Sequence, residues 1–156
     1  MARFRKIDPR IWNDAKFMAL SDDAKLIFLF SLTHPNMTML GAMRATIPGL
    51  ADELGWLPER FGERFAEPLA KGLFSYDQNG KLLWVRNYLM YNPIENPNQL
   101  TAAISALDLL PECHTKSLVF QSLTETAKRF GKPLPEPLPE PLPKPVTVTR
   151  AVAVAG

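Results

Sequence analysis

Asn79-Gly80, set between two strand-like runs, constrains this chain more than any other feature, because Asn-Gly in that setting is the strongest short-range sign of a β-hairpin. Leu73 to Tyr76 and Lys81 to Tyr88 read as the two strands. Two helical signals lie just upstream. Thr46 is a good N-cap, and Ile47-Pro48 opens a helix where Pro costs least. Leu50, Ala51 and Leu54 recur at helical spacing before Gly55 ends that helix. Leu57-Pro58 opens the next one, in which Leu57, Phe61, Phe65 and Leu69 recur every four residues and predict one core-facing stripe. Gly72 stops it. A helix, a tight turn, a second helix and a hairpin follow one another in the order of a winged helix, which points to a binding module.

The 156 residues suffice for one domain with an appendage, and 46% hydrophobic with 10% aromatic residues supports a true core. Net charge is only +2, and residues 1–96 hold 12 Lys+Arg against 11 Asp+Glu, so any basic footprint has to come from clustering. The single cysteine, Cys113, has no internal partner, which fits a reducing cytoplasm. Ile7 to Trp12 is too short and polar for a signal-peptide core, and the apolar run Leu26 to Leu32 is far below membrane-spanning length. The expectation is a soluble cytoplasmic protein without a membrane partner.

Arg3, Arg5, Lys6 and Arg10 against Asp8 alone make a basic arm, with Ile11, Trp12 and Phe17 expected on the core. Ser21 with Asp22 and Asp23 caps a helix to Thr33, whose broad apolar surface reads as the central helix. His34-Pro35-Asn36 breaks it, and Met39 to Arg44 reads as a short strand pairing with the hairpin. The turn formers from Tyr91 to Asn98 mark a boundary. The predicted organisation is therefore a mainly α winged-helix domain at 1–92 with a small β-hairpin wing, a helical extension at 93–131, and a disordered Pro-rich tail at 132–156. The extension holds helices at Gln99 to Leu110 and Thr115 to Phe130. The Pro-Leu-Pro-Glu repeat in the tail reads either as a stiff spacer or as a ligand for an aromatic-lined groove.

With Phe61 toward the core, Arg60, Arg64 and Lys71 gather on one side of the second helix, while Glu59, Glu63 and Glu67 fall on the far face. The basic stripe either meets DNA or belongs to a solvated helix laced with Glu-Arg pairs. Pro68 is expected to kink or restart that helix. Lys81 and Arg86 on the hairpin, with Arg44 on the preceding strand, are candidate phosphate contacts, the alternative being a hairpin that only completes the core. Arg3, Arg5 and Lys6 either follow a minor groove or form an ordinary solvated terminus. Enzyme signals are poor. His34 and His114 lack partners at metal-ligand spacing, no Gly-rich phosphate loop exists, and no nucleophile has a base beside it, so neither a catalytic site nor a metal or cofactor is expected.

Arg5-Lys6-Ile7-Asp8-Pro9-Arg10-Ile11-Trp12-Asn13-Asp14, Leu20-Ser21-Asp22-Asp23-Ala24-Lys25, Thr33-His34-Pro35, Leu40-Gly41-Ala42-Met43-Arg44-Ala45, Leu50-Ala51-Asp52-Glu53-Leu54-Gly55-Trp56 and Tyr91-Asn92-Pro93 with Glu95-Asn96-Pro97-Asn98 resemble prophage-encoded replication-module proteins. Over about residues 3 to 110 the chain is similar to the N-terminal winged helices of phage replisome organisers and DnaD-like primosome components. The resemblance implies binding to duplex DNA at a phage origin and recruitment of a host helicase or helicase loader; a homo-oligomer is a separate candidate assembly. A phage transcriptional regulator on the same fold, and a protein-binding winged helix that recruits or inhibits a host factor, are the alternatives.

Overall fold

A computed structural model describes residues 4–131; Arg3 and the Pro-rich segment from 132 onward lie outside the described residues. Acidic caps shape the start of the chain. Asp8 accepts the Arg10 N–H ahead of a 3-10 turn at Pro9–Asn13, and Asp14 accepts from Lys16 and Phe17 to start α1, Ala15–Met18. Helix α2, Asp22–Thr33, begins as its sequence predicts, with the Ser21 hydroxyl accepting the Ala24 N–H at 3.2 Å. Its end is fixed by a buried imidazole. His34 Nδ1 accepts the Asn36 N–H at 3.0 Å, which leaves Nε2–H to face the Glu53 carboxylate.

Strand β1, Ala42–Arg44, leads into α3, Ile47–Leu54, and α4, Pro58–Ala70. The hairpin β2, Phe74–Asp77, and β3, Leu82–Val85, follows, then the helical turn α5, Tyr88–Tyr91. Two longer helices complete the described chain: α6, Pro97–Asp108, and α7, His114–Lys128. The sheet is antiparallel with the order β1-β3-β2, pairing Ala42 with Trp84 and Phe74 with Val85.

Alternation along β2 sorts the two sheet faces. Phe74 and Tyr76 meet Phe65 of α4, and Phe74 also stacks on Phe28 of α2. On the opposite face Ser75 bonds Thr115 of α7 at 3.1 Å, and α7 packs across β2 and β3. Helices therefore cover both faces, and all four residues of β3 are buried. Leu100, Ala103, Leu107, Val119, Leu123 and Ala127 belong to the same buried cluster as the strands, so the segment after residue 92 is part of the core.

Several sequence expectations change in detail. Leu57 is 72% exposed, not core: it precedes the first helical residue, so the four-residue repeat does not carry it onto the buried stripe. Phe61 and Phe65 are fully buried and Leu69 partly so. Trp12 is 59% exposed and only stands edge-on to Phe17. The strand expected from Met39 is confined to Ala42–Arg44. It follows Gly41, whose φ of +76° brings the backbone so close to Tyr88 that an added Cβ would lie 2.2 Å from that side chain. The strand expected to reach Tyr88 ends at Val85. Asn79-Gly80 is not a two-residue turn. The loop runs from Gln78 to Lys81, Asp77 Oδ1 accepts the Gly80 N–H at 2.8 Å, and Lys81 carries the left-handed conformation. Pro68 does not divide α4, which continues two residues beyond it.

Phe65→Ala should cost about 3–5 kcal/mol in denaturant unfolding, the range for large core truncations. Leu57→Ala should stay within about 0.5 kcal/mol, as for an ordinary surface position. Equal effects at the two positions would refute the orientation of α4.

Candidate nucleic-acid interface

The orientation of α4 decides what its charges can reach. Residues advance about 100° around an α-helix, so with Phe61 and Phe65 inward the direction opposite the core belongs to Glu59 and Glu63. Both are exposed. Arg60 and Arg64 lie on the flank facing the start of α2. Arg60 donates from Nε and Nη2 to the two carboxylate oxygens of Asp23, both at 3.0 Å, with its Cζ 3.9 Å from the centre of the Trp56 ring. Arg64 pairs with Glu67 at 3.5 Å. Glu67 in turn accepts from the Ser21 N–H at 2.9 Å and the Ser21 hydroxyl at 2.6 Å.

Glu67 is thus not on the far face with Glu59 and Glu63. The same 100° step places it within about 20° of Arg60, which turns it toward α2. The stripe read from sequence either as a DNA contact or as a solvated face laced with Glu-Arg pairs is, in the fold, one side of a seam between α2 and α4. Its partners Asp23, Ser21 and Trp56 lack a sequence signal for this role. Asp22-Asp23 satisfies helix capping by itself, and nothing in spacing reveals that residue 23 meets residue 60.

The carboxylates of the seam are held ionised. The Arg60 guanidinium keeps Asp23 below the ordinary carboxylate range. Burial pushes Glu67 up, but the bonds from Ser21 and Arg64 outweigh it and lower the group overall. Near the start of the chain, hydrogen bonds from Arg10 pull Asp8 down to about 2.

The remaining candidate cations fall in three places. Lys71 follows the end of α4 and is exposed; Arg86 is also exposed, and its Nη1 comes close to Gly72, so these two lie at one end of the sheet. Arg44 and Lys81 lie at the other end. Arg44 pairs in register with Leu82, the Ala45 N–H donates to the Lys81 carbonyl at 2.8 Å, and both basic residues are exposed. Arg5 and Lys6 are docked. Arg5 Nη2 donates to the Met37 carbonyl at 2.7 Å, the Lys6 N–H donates to Asn92 Oδ1 at 2.8 Å, Asn92 Nδ2 returns a bond to the Lys6 carbonyl at 3.2 Å, and Lys6 Nζ pairs with Glu95 at 3.4 Å. Arg3 lies outside the described residues. Among the described residues no group of three or more His, Cys, Asp or Glu is arranged to hold a metal ion, and no helix is long and apolar enough to cross a membrane.

The lowered carboxyls, the partly buried Glu67 foremost and the solvent-screened Asp8 and Asp23 less, give the acid response a defined sign. Groups whose folded pKa lies below the unfolded value stabilise the protein above about pH 4 and lose that contribution as pH falls through the folded pKa. The thermal midpoint should therefore hold from pH 7 to about pH 5 and fall between about pH 4.5 and 2. Glu67→Gln, which keeps the acceptor for Ser21 but does not titrate, should show a shallower fall; an identical profile would remove Glu67 from the seam. No family model, curated protein or solved structure significantly matches this chain.

Proposed function

We propose that the chain is a winged-helix DNA-binding protein of a bacteriophage or prophage, acting in replication initiation or its control. One observation carries the reading: α2, β1, α3, α4, β2 and β3 follow in that order, with β3 between β1 and β2, the arrangement in which a helix-turn-helix carries a hairpin wing. The sequence resemblance to phage replication-module proteins supplies the biological setting. Phosphate contact is assigned first to Arg44 and Lys81, which are exposed at adjoining backbone positions where the wing loop ends, with Lys71 and Arg86 as a second pair. Arg60 and Arg64 are engaged with carboxylates and enter only if those partners are exchanged.

A second reading, a winged helix that binds a host protein, is favoured by the acidic apex of α4. Glu59 and Glu63 point where a reading helix would meet the groove, and residues 47–71 carry five acidic against three basic side chains.

Binding to random duplex DNA over a salt series separates the two. The first reading expects affinity to fall linearly on a log–log plot. Arg44→Ala with Lys81→Asn, a residue that tolerates the left-handed conformation there, should reduce the slope by up to about 1.8, or about 0.9 per lost contact. Unchanged binding by the double variant would move the interface away from the wing. Absence of binding by the parent at low salt would transfer the assignment to a protein partner.

A further inference from the structure

We infer that Arg60 on the Trp56 ring is a backbone-phosphate site which Asp23 occupies in the free protein, so that α2 carries a built-in competitor for the duplex. The inference rests on the DNA-binding reading. The guanidinium offers Asp23 two parallel donors, Nε–H and Nη2–H, each 3.0 Å from a different carboxylate oxygen. This fork fits two oxygens of a phosphate as well as those of a carboxylate. Stacking on Trp56 at 3.9 Å holds the guanidinium in place independently of Asp23, so the donors stay aimed when the anion changes.

The pair is also exchangeable. The Arg60 side chain is 51% exposed and that of Asp23 32%, so an incoming phosphate can reach the donors without unfolding either helix. Solvent and salt screen an exposed ion pair, and the bidentate geometry puts this one at the upper end of a weak class, within reach of displacement by phosphate. Asp23 cannot leave the site entirely, because it is fixed in the first turn of α2. A bound phosphate therefore sits beside a retained carboxylate, and the free-state pair lowers affinity for the duplex.

Neighbouring Asp22 provides the control. It carries the same charge in the same turn but pairs with Lys25 at 3.9 Å and, among the described residues, has no ion pair with Arg60. Asp23→Asn should tighten binding to random duplex about five-fold, on the scale of one exposed pair, and Asp22→Asn by less than about two-fold. Arg60→Ala in the Asp23→Asn background should abolish the gain. Asp23→Ser, which keeps a helix-start acceptor, should reproduce it, with thermal midpoints checked for each variant. In the parent, the Arg60 Nε–H resonance should shift on adding duplex. Equal gains from Asp22→Asn and Asp23→Asn, or a gain that survives loss of Arg60, would overturn the inference while leaving DNA binding intact. A parent that binds no duplex at low salt would overturn both.

Discussion

Phe65 is the contact on which the arrangement of this protein depends. It is fully buried, lies 5.6 Å from Phe61 on its own helix, and meets Phe74 at 5.7 Å and Tyr76 at 5.6 Å on β2. Phe74 then stacks on Phe28, so one aromatic chain joins α4, the sheet and α2. Burying large rings in this way favours compactness and also sets the rotation of α4 about its axis. That rotation turns Glu59 and Glu63 outward and swings Arg60 and Arg64 against α2. The surface chemistry of the helix follows from its core.

The second helical layer has a comparable effect on the hairpin. Gly80 approaches Cys113 so closely that an added Cβ would lie 2.9 Å from its sulfur, and Asp77, 3% exposed, bonds the Gly80 N–H from within the loop. The loop is thus backed by the segment leading into α7. Lys116 strengthens that segment from inside: its buried ammonium donates to the Leu110 carbonyl at 3.0 Å and faces the Glu112 carboxylate. Tyr76 adds a further tie. Its hydroxyl donates to the Ala45 carbonyl at 2.8 Å, and burial, reinforced by Asp77, pushes its pKa up to about 12, so it stays a donor at any ordinary pH. The hairpin is thus tied to the rest of the fold at its loop and along β2.

Much of this was legible in the sequence because it depends on local chemistry. Ser21 and Thr46 cap their helices as their positions predict, the Phe61–Phe65 spacing identifies the buried stripe, and the hairpin forms between the expected runs. The misreadings arose where a local rule met a non-local partner. Asn-Gly marked the hairpin, but Asp77 and the packing on Cys113 selected a longer loop with Lys81 left-handed. Leu57 fits the period, yet precedes the helix that would bury it. The basic stripe of α4 was visible, whereas Asp23, 37 residues away along the chain, was not identifiable as its partner. Lys6 and Asn92, 86 residues apart along the chain, meet through two hydrogen bonds that neither local stretch reveals alone.

Charge distribution sets how such a protein could work under the proposed reading. A net charge of +2 provides little long-range steering, so contact must rest on a few local cations. The first-assigned pair, Arg44 and Lys81, with Arg60 once Asp23 is displaced, gives three phosphate contacts before Lys71 and Arg86 are engaged. Such an interface loses only about forty-fold in affinity between 50 and 200 mM salt, far less than the steep dependence of strongly basic domains. It is correspondingly weak by itself. Useful occupancy of DNA then requires a second point of attachment, either another copy of the chain or a host protein already at the site, because linked weak contacts gain avidity without new chemistry. The acidic apex of α4 is well placed for that second role. Glu59 and Glu63 are repelled by phosphate but complementary to a basic protein surface, so DNA held along the wing and the Arg60 flank and a protein met by the outward face of α4 are compatible on one fold.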